Sequence, residues 1–287
     1  MIISLINRTK IPDREVLLVI RAINRQLAED FSPHWNIHAQ VKLEGTLPGK
    51  INVNTAANLR GNAIVYLADK FKKNDPLGFH DLNNRGIPFG IVYTELATKL
   101  NEPWSTTLSH EVLELAADAE VNRLAIGPHP NDPDHLVFHW YEMCDAVQDE
   151  HYAIDGIDVS NFVLPLYFTG GDEKGGRNDF LGNTHNGKRL TSFGINPGGY
   201  VGFYDPALDD HDQVFADSRA KQRGEAKSKV GFGRRSMRYK FPIDFQLLMQ
   251  GKASKKTSAG KKSKQRKTSK SGKRSKASGL SRKKKKV

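Results

Sequence analysis

The stretch Leu108-Ser109-His110-Glu111-Val112-Leu113-Glu114-Leu115-Ala116-Ala117 sets one serine, one histidine and two glutamates inside an otherwise apolar run of helical length. A helix that is apolar nearly all round is a buried helix, and buried acids need a partner that offsets their charge. The chain must therefore wrap this helix and bring polar groups to it from elsewhere. Residues four apart on a helix stand one above the other, so the His110 imidazole and the Glu114 carboxylate can converge on one cation. Glu111, about 100° further round, stands beside them as a candidate base. The better-known form of the pattern is His-Glu-x-x-His, whose histidines bind zinc while the glutamate activates water. Here a carboxylate replaces the second histidine. Such a pair can also merely support an exposed helix, but the apolar flanks argue for burial.

Further ligands have to come from other segments. Asp118 shares the helical face, yet eight residues at 1.5 Å rise put it about 12 Å from His110, so it is expected to cap, pair or orient. The better source is His139-Trp140-Tyr141-Glu142-Met143-Cys144-Asp145-Ala146-Val147, a strand or tight turn returning 28 residues after Glu114. Glu142 or Asp145 would complete three protein ligands and leave the open position of a catalytic metal; on a regular strand they would not both point inward. His80 is expected near the site as an oxyanion donor or, alternatively, as a loop histidine paired with Asp81. Cys144, the single cysteine, is expected to be a small buried hydrophobe.

Around this helix the periodicity predicts an α+β domain. Ile2 to Ile6 suits a strand, and Val16, Val19, Ile20, Ile23, Leu27 and Phe31 form the stripe of a helix lying on a sheet. Residues 37–43, 62–68 and 87–94 read as strands, the last at a sheet edge because of Pro88. Gly78 to Gly86 reads as a polar loop. Asn101-Glu102-Pro103 marks a helix start, with the helix running to about Leu124. Residues 156–168 read as a buried run, 169–204 as hairpins and loops, and Asp205, Asp209, Asp210, Asp212 and Asp217 as a solvated acidic loop.

Charge divides the chain. The net charge is +12, but residues 251–287 hold seventeen Lys/Arg and no Asp/Glu, which leaves 27 basic against 32 acidic residues in 1–250, a body of net −5. Three regions follow: a domain over 1–217, a basic arm with a short apolar segment over 218–250, and a Lys/Ser-rich tail over 251–287 with too few apolar residues to fold alone. Such a tail neutralises phosphates without reading bases, so non-specific nucleic-acid binding is expected through Lys255, Lys256, Lys261, Lys262, Arg266, Lys267, Arg274, Lys283, Lys284, Lys285 and Lys286. No apolar run approaches membrane-spanning length and no signal-peptide pattern is present. A cytoplasmic location and no membrane partner are the expectation.

Gly78-Phe79-His80-Asp81 ahead of Gly86-Ile87-Pro88, then Leu108 to Glu114 with Asp118, then Tyr141 to Val147, then Gly198-Gly199-Tyr200, resemble a family of bacterial and phage proteins regarded as zincin-like. The resemblance spans roughly 60–205 with the N-terminal strand and helix, and stops before the tail. Ala119 and Ala146 depart from it, standing where the pattern carries proline. It implies a zincin-like mixed sheet with an N-terminal helix and an active-site-type helix, and a candidate metal site. Two functional expectations follow. One is a metal-dependent, peptidase-like hydrolase in which His110, Glu114 and Glu142 or Asp145 hold zinc, with manganese or iron as alternatives because the set is rich in carboxylate. The other is a non-catalytic zincin-like domain tethered to nucleic acid by its tail.

Overall fold

The computed structural model describes residues 1–46, 61–69, 78–83, 85–170 and 176–221. These all fall within Met1–Pro242, the first of the chain's two units. Most of the expected arm and the whole tail therefore lie outside the described residues.

Strand β1 (Ile2–Arg8) leads into helix α1 (Asp13–Arg25), which opens on Pro12 and continues through a widened turn, Gln26–Phe31, into the short α2 (Ser32–Trp35). Strands β2 (Gln40–Thr46), β3 (Ala63–Ala68), β4 (Gly78–Leu82) and β5 (Pro88–Tyr93) follow, then helices α3 (Thr94–Lys99) and α4 (Trp104–Ala117). These five strands form one sheet in the order β2-β1-β3-β5-β4, parallel except for β4, which runs antiparallel to β5 at one edge. Two expectations fail here. The polar loop at Gly78 is strand β4, and β5 is an inner strand, not an edge. Pro88 is tolerated because it is the first residue of its strand, where a missing N–H costs least.

Alternation along the strands divides the core. Ile3, Leu5, Val65, Leu67 and Val92 join the principal cluster with Val16, Ile20, Ile23 and Leu27 of α1 and Leu108, Val112 and Leu115 of α4. Ile6, Ile64, Tyr66, Phe89 and Ile91 form a smaller cluster on the opposite face. Twelve of the fourteen residues of α4 are buried, the polar Ser109, His110, Glu111 and Glu114 among them.

A buried polar clasp fixes the register of α4. Ser109 Oγ donates to Gln26 Oε1 at 2.6 Å and accepts the Ser160 N–H at 3.0 Å, while Gln26 Nε2 donates to the Ser160 carbonyl at 2.8 Å. The helix starts where Pro103 places it but stops at Ala117, well before Leu124. Asp118 is the cause: its carboxylate accepts the N–H of Asn122 at 3.1 Å and of Arg123 at 3.0 Å, offering the backbone a turn in place of another helical turn.

Beyond α4, β6 (Leu124–His129) and β7 (Asp132–Trp140) form a hairpin, followed by a 3₁₀ turn at Asp145–Val147. The ribbon β8 (His151–Ile154) and β9 (Ile157–Ser160) comes next, then a 3₁₀ turn at Pro165–Phe168, the small ribbon β10 (Thr184–His185) and β11 (Lys188–Arg189), and β12 (Tyr200–Asp205) with β13 (Asp210–Phe215). A second, antiparallel sheet has the order β13-β12-β7-β6. The acidic stretch 205–217 is thus mainly a hairpin. Residues 218–221, expected to begin the arm, form a helical turn in which Ala220 is fully buried. Asp217 accepts the N–H of Ala220 and of Gly198, bonds that hold its carboxyl below the usual range.

Candidate metal centre

Three stretches far apart in sequence meet at α4. The helix itself presents His110, Glu111 and Glu114, with His110 Nε2 3.2 Å from Glu114 Oε1, the contact expected of residues one turn apart. The chain leaving β7 does not continue as a strand; it turns, and the turn aims Glu142 and Asp145 inward together. Asp145 Oδ1 lies 3.2 Å from His110 Nε2. The Cys144 N–H donates to Glu114 Oε1 at 3.3 Å, which pins the turn to the helix. The supposed choice between Glu142 and Asp145 assumed extended backbone, and the turn removes it.

The third stretch is the edge strand. His80 of β4 reaches the helix with Nδ1 3.5 Å from Glu111 Oε2 and 3.6 Å from Glu114 Oε2. The adjacent Asp81 alternates to the other side of the strand, as its neighbour must, and accepts the Leu82 N–H at 2.7 Å. His80 is thereby a member of the cluster and not a peripheral donor. Asp118 stays a capping residue. Exposure is 5% or less for His80, His110, Glu111, Glu114, Glu142 and Asp145.

Two trios have ligating atoms that all lie within 4.8 Å of one another: His80, Glu114 and Glu142, and His110, Glu114 and Cys144. Cys144 was legible only as a hydrophobe. It is fully buried, its thiol donates to the His110 carbonyl at 3.8 Å, and its sulfur faces the centre. The signal available in the sequence was its place between two acids of the returning segment.

Neighbouring elements hold the turn in place. The Ala146 carbonyl accepts the Asn196 N–H at 3.0 Å, and Gly199 approaches so closely that a Cβ there would stand 2.3 Å from the same oxygen. Only glycine allows that approach. The Met143 carbonyl accepts the Val163 N–H at 2.7 Å. Glu142 and Asp145 line a small cleft with His139, Trp140, Tyr167, Phe168, Val201 and Gly202, with room for about one water-sized species. Burial, and then the nearby Asp145 charge, push the Tyr167 phenol well above its ordinary value, so it stays protonated and donates to the Gly194 carbonyl at 2.8 Å. Burial lowers the pKa of His139, whose Nε2 sits 2.8 Å from the Pro128 carbonyl.

The charges decide what the cluster can do. Its six side chains comprise four carboxylates and two imidazoles, so even with both rings protonated two negative charges remain in excess. Several buried carboxylates in mutual contact are costly unless protons or cations offset them. Carboxylate oxygens with imidazole nitrogens are a donor set suited to zinc, manganese or iron. The residues present therefore fit a divalent ion.

No protein-family model matches the chain, and no curated protein sequence matches it.

Proposed function

We propose that this chain is a divalent-metal-dependent, peptidase-like hydrolase built on a zincin-like domain. The observation that carries the reading is the convergence of His110, Glu111 and Glu114 from one helix with Glu142 and Asp145 from a later turn, all buried, with Glu142 and Asp145 lining a cleft that admits a water-sized species. The mixed sheet, with its antiparallel edge strand beside α4, supports the zincin-like comparison.

His110 and Glu114, with Glu142 or Asp145, would hold the ion, zinc in the first instance and manganese or iron as alternatives. A bound divalent cation lowers the pKa of its water and polarises a carbonyl. The chain's own contribution is proton handling and position. Glu111 Oε2 is fully buried and accepts no hydrogen bond among the described residues, which leaves it able to take a proton from an attacking water. As the water oxygen adds to the carbonyl and the C–N bond breaks, Glu111 returns that proton to the departing amine. His80, with Nδ1 3.5 Å from Glu111 Oε2, stands beside that carboxylate. Glu111→Gln is expected to keep the bound metal and lower peptide hydrolysis by about 10² to 10⁴-fold, the usual worth of a general base. Parallel metal analysis and a peptidase assay check it. Retained activity with retained metal would remove Glu111 from the chemistry.

A second reading concerns the tail and rests on its seventeen Lys/Arg without an acid. We propose that residues 251–287 bind nucleic acid through its phosphates, without sequence preference. Binding of a short DNA duplex is expected to fall about 10³-fold or more between 50 and 200 mM salt, as for six to ten phosphate contacts. It is expected to vanish when 251–287 are deleted, with metal content unchanged. Salt-insensitive binding, or binding that survives the deletion, would contradict this reading.

A further inference from the structure

We infer that the centre holds two divalent cations bridged by Glu114. The inference rests on the metal-dependent reading above and goes beyond it. Glu114 is the one member common to both trios of ligating atoms, and its two oxygens face different histidines. Oε1 lies 3.2 Å from His110 Nε2, and Oε2 lies 3.6 Å from His80 Nδ1. Each imidazole has a further carboxylate of its own. Asp145 Oδ1 stands 3.2 Å from His110 Nε2, and Glu142 offers an oxygen within 4.8 Å of both His80 and Glu114. The cluster thus divides into two half-sites: His110, Asp145 and one oxygen of Glu114, with the Cys144 sulfur within ligand range of His110 and Glu114, then His80, Glu142 and the other oxygen. Glu111, 3.5 Å from His80, remains beside the second half-site as the base.

Charge points the same way. One divalent ion among four buried carboxylates and two neutral imidazoles leaves two negative charges in a site excluded from solvent, whereas two ions leave none. Buried carboxylates favour the arrangement that offsets them fully. A bridging carboxylate between two ions also suits hydrolysis, since paired metals can stabilise both the attacking and the leaving group. Each half-site takes one carboxylate from the turn after β7 and one oxygen of Glu114 from α4, but has its own histidine, His80 from β4 or His110 from α4. Losing one histidine should therefore empty one half-site and leave the other.

The test uses the full chain, stripped with a chelator, dialysed and loaded with manganese(II). Bound metal is measured per chain, and the electron paramagnetic resonance spectrum is recorded. Two manganese ions per chain with an exchange-coupled spectrum are expected. His80→Ala and His110→Ala are each expected to bind one ion and give the spectrum of an isolated ion, with folding checked by circular dichroism. One ion in the wild type overturns the bridged pair while leaving the metal-dependent reading intact, and no ion overturns both. Two ions without exchange coupling place the second away from Glu114 and overturn the bridge. The wild-type result decides the matter even if a variant fails to fold.

Discussion

Glu114→Ala is expected to empty the centre. Glu114 is a member of both trios, so its removal withdraws a ligand atom from each at once. Losing a residue that merely orients a ligand weakens metal binding 10 to 100-fold, and losing a shared ligand should exceed about 100-fold. The effect on stability is separable. The Cys144 N–H that donates to Glu114 Oε1 would be left buried without that acceptor, at a cost of about 1–3 kcal/mol. Glu114→Gln retains an acceptor for that N–H and removes a buried charge, so the metal-free glutamine variant should match or exceed the stability of the metal-free wild type. Metal content after gel filtration, read beside urea midpoints of the two variants, separates the roles. Full metal binding by Glu114→Ala would show that the residue serves the fold alone.

Chelation is expected to produce the other large effect. An ion present at about 1,000 times its dissociation constant stabilises the folded state by about 4 kcal/mol, and a domain of 150–250 residues shifts by about 2–4 °C per kcal/mol. Stripping the metal should thus lower the melting temperature by roughly 8–16 °C, and adding zinc or manganese back should restore it. The physical source is the surplus of buried carboxylates, which repel one another once their counter-charge is gone. Glu142→Gln removes one such charge, so it should raise the melting temperature of the metal-free protein by about 2–4 °C while weakening the response to metal. A melting temperature that ignores both chelator and added metal would mean that these acids are compensated within the chain.

What the sequence revealed follows from how local each signal is. His110 and Glu114 are one turn apart, and helical geometry alone brings them within 3.2 Å. The apolar flanks of α4 predict its burial, and Pro103 marks its start. The return of an acid from 142–145 is a tertiary event that the acidic residues near Cys144 hinted at. That both acids point inward depends on a turn whose cause is remote: the backbone of Asn196 and Gly199 packed against Ala146.

β4 was hidden for a related reason. His80 and Asp81 make it look like a loop on polarity, yet both are buried. The polar lining His80 faces is supplied by Glu111 and Glu114, more than thirty residues later in the chain. Hydrophobic alternation cannot register a strand whose buried face is matched to acids. Pro88 misled in the opposite direction, because a proline at the first position of a strand does not force an edge. The premature end of α4 came from one side chain, Asp118, capturing two backbone donors.

The central claim is that the acids and imidazoles around Glu114 enclose a divalent cation. Anomalous diffraction from crystals of the full chain grown with zinc, recorded at the zinc absorption edge, tests it most directly. The account predicts anomalous density beside Glu114, about 2.0–2.3 Å from carboxylate oxygens and imidazole nitrogens of the cluster. Density confined to surface histidines, with His110 still paired directly to Glu114 and Asp145, would contradict it.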